Sequence, residues 1–212
     1  MEPETSAPVL PLLLKGLPPP PGPELDIYID AGARCFSRHG ISRTTMPDIA
    51  REIGVSRTTV YRQVGSIDKL SWLLAAREAH RLIATLPEIS RELDGPHTLV
   101  KMMTSIIQQV QEHPVVSKVL VDEPDVVGPL LTNDLGRIIA GATAITTPLI
   151  SAAMHTGMIA NRDPKTIANW LVRMAISLTI NPPKEDLETF LSEILIPALS
   201  PTHSDRFQPT KA

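Results

Sequence analysis

From Glu24 onward, apolar residues recur at helical spacing. Leu25, Ile29, Ala33 and Phe36 fall at i, i+4, i+8 and i+11 and form one stripe, which predicts a first helix ended by Gly40. Gly32 inside it is unfavourable by roughly 1 kcal/mol relative to Ala, so either another backbone approaches closely there or the flaw is tolerated. Thr45-Met46-Pro47-Asp48 reads as a capping box, with Thr45 at the cap and Pro47 in the first turn, where its missing N–H is harmless. It opens a second helix whose Ile49, Ala50 and Ile53 face inward. In the following turn, Gly54 suits a left-handed helix closure, Val55 can plug the angle between helices and Ser56 can cap the next one. A third helix, Arg57 to Val64, buries Val60 and Val64. Gly65 stops it, and Ser66 caps a fourth that runs through Leu70, Leu73 and Leu74 to about Leu86, where Pro87 limits it.

The remaining pattern is also helical. His97 to His113 places Leu99, Met103, Ile106 and Val110 on one face, with Met102 and Ile107 widening it, and Pro114 breaks it. Val115 to Val121 makes a short helix before a loop at Asp122 to Pro129. Thr132 can cap a long helix carrying Leu135, Ile138, Ile139, Ala142, Ile145 and Leu149, kinked at Pro148. Asn161 to Pro164 is a turn before a helix with Ile167, Leu171, Met174 and Leu178, and the last helix, Asp186 to Leu199, carries Leu187, Phe190, Leu191, Ile194 and Leu195. With no strand run and no repeat, the predicted fold is all-α.

Outside the helices, residues 1–23 hold Pro3, Pro8, Pro11, Pro18 to Pro21 and Pro23, which deny the backbone regular hydrogen bonding and make a Pro-rich, disordered leader. Residues 201–212 form a polar, flexible tail. The expected organisation is therefore leader 1–23, a first helical domain 24–75, a second helical domain 76–200, and tail 201–212. Only 3% of the chain is aromatic against 42% apolar, so the core is built from Leu, Ile, Val, Ala and Met.

The net charge of −3 is unevenly spread. Between Arg34 and Arg62 there are six Arg (34, 38, 43, 51, 57, 62) against Asp48 and Glu52, a local excess of +4 suited to a phosphate-facing surface. The single Cys35 excludes an intramolecular disulfide and a Cys-based metal cluster. The histidines at 39, 80, 97, 113, 155 and 203 share no metal-ligand spacing, and no nucleophile elbow or phosphate loop is present, so neither metal, cofactor nor enzyme chemistry is expected. No apolar run approaches the roughly 18 residues of a membrane span, and at the N-terminus Glu2 and Glu4 stand where a signal peptide has basic residues while prolines interrupt the apolar run, so the expected location is cytoplasmic, without membrane contact.

Arg57, Thr58, Thr59, Tyr61 and Arg62 open the third helix with groups that can donate hydrogen bonds to phosphates or base edges, as a recognition helix requires. In order and spacing, YIDAGARCFSRHG, TTMPDIAREIGVSRTTVYR and SIDKLSWLL over residues 28–74 resemble the DNA-binding domain of the TetR family of bacterial transcriptional regulators. Matched position by position, the resemblance assigns Arg57, Thr58 and Thr59 to the groove edge and Tyr61 and Thr45 to phosphates, with Arg62 open to either. The family's usual phosphate-binding lysine is replaced by Ile67. Lys69 lies nearby, but two residues along a helix turn it some 200° away.

The resemblance further implies a homodimer on double-stranded, palindromic operator DNA, with Ile167, Leu171, Leu178, Phe190 and Ile194 at the interface. It also implies a ligand cavity among the middle helices, for which Met102, Met103, Ile106, Met154, Met158 and Met174 are candidate lining or ordinary core. A methionine-rich, charge-poor lining suits a small lipophilic, fatty-acyl-like effector. The competing reading is a helical lipid-binding or adaptor protein whose helix-turn-helix contacts another protein.

Overall fold

The structure, a computed structural model, describes residues 19–90 and 95–201. Residues 1–18 of the leader, and the tail after residue 201 with His203, lie outside the described residues. Among those described, every regular element is helical. After a 3-10 turn at Pro23–Leu25 come α1 (Asp26–His39), α2 (Met46–Ile53), α3 (Arg57–Val64), α4 (Ile67–Ser90), α5 (Pro96–Glu112), α6 (Pro114–Asp122), α7 (Pro124–Pro129), α8 (Leu135–His155), α9 (Pro164–Ile180) and α10 (Leu187–Leu199). These helices divide into two compact units.

The first unit runs from the start of the described chain to Leu82 and includes Val110–Gly136. Ile29, Phe36, Ile49, Val60, Val64 and Leu70 are wholly buried in one core, with Tyr28, Cys35, Met46 and Leu74 around them. Gly32 is explained by a close neighbour, which is a side chain and not a backbone: a Cβ there would lie 2.9 Å from Leu70 Cδ2. Arg77 of α4 is buried and donates to Asp30 at 2.8 Å and Asp26 at 3.3 Å, tying α4 to α1. Val115 and Val119 of α6 pack on the same core. Residues 110–136, which the sequence pattern joined to the second domain, thus lie with the first.

Several local expectations are corrected. Val55 does not plug the turn; it is 37% exposed. Pro87 does not end α4, which continues to Ser90. The loop expected over Asp122 to Pro129 is helical from Pro124, which occupies the first-turn position where proline is pre-set for helix. The helix then widens to a π turn at Leu130–Asp134, and Thr132, inside it, caps nothing; its hydroxyl donates back to the Gly128 carbonyl at 3.1 Å.

The resulting helical stretch, Pro124–His155, has an 18-residue window of mean hydropathy 1.4 and is long and apolar enough to cross a membrane by length and composition. In the sequence the stretch begins at Pro124 and is interrupted by Pro129, so no single long apolar run stands out. As the core helix of a soluble protein passes the same test, this is weak evidence for a membrane.

The second unit holds Ile83–Gln109 and the described chain from Arg137 on. Its main core joins Leu99, Met103 and Ile107 of α5 to Ile150 and Ala153 of α8, Leu171 and Leu178 of α9, and Leu187, Leu191 and Leu195 of α10. Gly157, at φ +70°, closes α8 in the left-handed conformation. Asp163 and Asp186 cap α9 and α10 by accepting from the Thr166 and Thr189 amides at 2.8 and 2.9 Å.

Candidate nucleic-acid interface

Both helices of the helix-turn-helix are held at their first turns. Thr45 and Asp48 complete the predicted capping box: the Thr45 amide donates to Asp48 Oδ2 at 2.9 Å and its hydroxyl to the same oxygen at 2.6 Å. The Thr45 hydroxyl, together with its backbone N–H and Arg51, keeps the Asp48 carboxyl below its ordinary pKa. Gly54 closes α2 at φ +74°, and Ser56 Oγ accepts from the Thr59 amide at 3.1 Å to open α3. Val60 and Val64 anchor α3 in the core.

With that face buried, Arg57, Thr58, Tyr61 and Arg62 are left on the exposed side, Tyr61 at 53% exposure. None of these four side chains is hydrogen-bonded or ion-paired within the described residues, so their donors are free for another molecule. Thr59 differs from them. It is half-buried, its hydroxyl 2.8 Å from that of Ser56, as a capping residue would be. The Thr45 hydroxyl is likewise committed, so a phosphate would have to compete with Asp48 for it.

The local excess of arginine is smaller in space than in sequence. Glu52 accepts from Arg34 Nε and Arg38 Nη2, both at 2.6 Å, and Asp48 from Arg51 at 3.0 Å. The two arginines hold the Glu52 carboxyl below its usual pKa. Outside ion pairs there remain Arg43, whose Nε donates to the His39 carbonyl, and Arg57 and Arg62 of the recognition helix. The bridging role of Glu52 was not apparent from the sequence, although its spacing of 14 and 18 residues from the two arginines follows from packing α1 against α2. Cys35 is buried beneath this network, and burial, with Glu52 next, pushes its thiol pKa up.

Ile67 has a structural use: it is half-buried against the first core. Lys69 is exposed on the first turn of α4, and a Cβ on Gly65, the residue after α3, would lie 3.5 Å from its Cδ. Its chain therefore lies near the end of the recognition helix.

The family described as bacterial regulatory proteins, tetR family, matches residues 29–70, which span α1 through the start of α4. Over that segment the chain is similar to the DNA-binding part of TetR-family regulators. It is 25% identical over 182 residues to an uncharacterised HTH-type transcriptional regulator of Mycobacterium tuberculosis, covering 83% of this chain and 85% of that one. It is also 27% identical to the M. tuberculosis HTH-type regulator AlkX, covering 76% and 77%. In fold it is similar to the TetR-family repressor AlkX of Dietzia sp. strain DQ12-45-1b, implicated in biodegradation of n-alkanes, with TM-score 0.61, 23% identity and coverage of 84% and 95%.

The six candidate ligand residues fall into two groups. Met102 and Ile106 pack with Ile83, Leu86, Ile145 and Leu149, whereas Met103, Met154, Met158 and Met174 belong to the main core of the second unit. One concavity of about 370 Å³ in that unit is lined by Asp163, Lys165, Thr166, Asn169, Trp170 and Arg173, and none of the methionines reaches it. Of the candidate interface residues, Leu171 and Leu178 are buried in the main core of the second unit, and Ile167 and Phe190 pack partly on the same core. Ile194 is 45% exposed, as are Trp170 and Ile180 to a similar degree.

Proposed function

We propose that the chain is a ligand-responsive, cytoplasmic repressor that binds a palindromic operator as a homodimer and is released by a small lipophilic effector of the fatty-acyl class. The observation that carries the DNA reading is the free face of α3: Arg57, Thr58, Tyr61 and Arg62 exposed and unpaired on a helix capped by Ser56 and anchored by Val60 and Val64. Two such faces about one DNA turn apart would read a symmetric site. Exposed Ile194, Trp170 and Ile180 on α9 and α10 support an interface between copies on those helices.

The effector class is supported by the aliphatic and methionine-rich composition of both clusters in the second unit, which offers dispersion contacts and no charge. The fold likeness to a repressor implicated in n-alkane biodegradation points the same way. Release requires only that the effector bind one arrangement more tightly than the other.

Selection of genomic fragments on the purified protein supplies the operator. Arg57→Ala plus Tyr61→Ala should then abolish specific retardation, and unchanged affinity contradicts the assignment. Thermal-shift titration with long-chain acyl lipids should raise the melting temperature, whereas a response only to polar metabolites rules out the lipophilic effector.

A further inference from the structure

The turn between α1 and α2 is built around a carboxylate from a distant part of the chain. Glu123, only 4% exposed, accepts from the Ile41 amide at 2.6 Å and the Ser42 amide at 2.9 Å, and the Ser42 hydroxyl donates to it as well. These partners are 81 and 82 residues apart in sequence. Gly40 makes room: at φ +85° it carries the chain so close that a Cβ would fall 2.5 Å from Glu123 Cδ. The Thr44 hydroxyl, itself buried, donates to the Gly40 carbonyl at 2.6 Å and closes the turn from the other side. One residue on is Thr45, the cap of α2.

Burying a carboxylate is costly unless its lone pairs are met, and here the turn meets them with two amides and a hydroxyl. Glu123 is also the break between α6 and α7, at φ −128° and ψ 62°, and from the next residue the chain is helical to His155. The helix-turn-helix is thus fastened, at its entry, to the segment that leads into α8.

We propose that Glu123 is a positioning residue for operator reading: its carboxylate fixes the 40–42 turn, and through it the start of α2 and the angle at which α3 meets DNA. This rests on the DNA-binding reading above. Nonspecific binding depends on charge and tolerates a loosely held helix, but a specific site demands register. Loss of the clamp therefore lowers specific affinity and leaves nonspecific affinity in place.

The test is fluorescence anisotropy of full-length protein with the selected operator and with a scrambled duplex of equal length, at a temperature where circular dichroism shows every variant folded. Glu123→Ala and Glu123→Gln should each cut the specific-to-nonspecific ratio about tenfold. Gln preserves volume but presents an N–H₂ to a donor, so a mere packing role would leave Glu123→Gln near wild type. Ser42→Ala, which removes one bond of three, should cost two- to threefold and serves if the Glu123 variants do not fold. A wild-type ratio in Glu123→Gln or in Ser42→Ala overturns the clamp alone. Wild-type protein that binds neither duplex overturns the DNA-binding reading, and the clamp with it.

Discussion

Thr45 shows how one residue can be legible for one role and committed to another. Its place before Met-Pro-Asp announced a cap, and the reciprocal bonds with Asp48 are formed. Thr45→Ala should lower stability by about 1 kcal/mol, read as a shift in the urea midpoint, and should weaken DNA binding chiefly through the loosened first turn of α2. Ile67 is the converse case. Sequence alone marked it as a missing phosphate anchor, while its packing on the first core appears only in three dimensions. Ile67→Lys should tighten operator and scrambled DNA together, at about 1 kcal/mol of stability for the lost burial. If neither duplex is held more tightly, Lys69 already fills the role.

At the scale of elements, the helices were written in the 3.6-residue stripes, and their starts in Thr45, Ser56, Asp163 and Asp186. What the pattern could not convey was where long-range partners would lie. Gly32 looked like a flaw in α1 until Leu70, 38 positions later, was found against it. Gly32→Ala gains about 1 kcal/mol of helix propensity but pushes a methyl against a wholly buried Leu70, a strain of about 1–3 kcal/mol. The net outcome expected is a lower melting temperature, restored in part by Gly32→Ala with Leu70→Val. The stretch after Glu123 was misread for a related reason: Pro124 and Pro129 suggested a loop, yet one lies at a helix start and the other just before a π turn. A helical stripe does not say which of its neighbours covers it; within the chain, Leu171 and Leu178 pack in the main core of the second unit.

At the scale of the molecule, six carboxylates among the described residues are held below their ordinary pKa values, Asp122 among them through its bond from Lys118. Asp48, Asp163 and Asp186 are lowered first by hydrogen bonds from threonine, and Glu52 first by Arg34; for Glu123, burial opposes the shift and the Ser42 and Ile41 donors outweigh it. A depressed folded-state pKa stabilises the protein above the unfolded value, and the benefit disappears as pH falls through the folded one. The urea midpoint should therefore be level from neutral pH to about 5 and fall steeply below about 4; Asp48→Ala should show a shallower acid limb.

Operator reading, as proposed, depends on α3 meeting phosphates and base edges with Arg57, Arg62 and their neighbours, so the most direct measurement is operator affinity across salt concentrations. The logarithm of the binding constant should fall linearly and steeply with the logarithm of salt, and each of Arg57→Ala and Arg62→Ala that removes a phosphate contact should flatten the slope by about one. Binding that ignores salt, or a slope that neither substitution alters while affinity is kept, would contradict it.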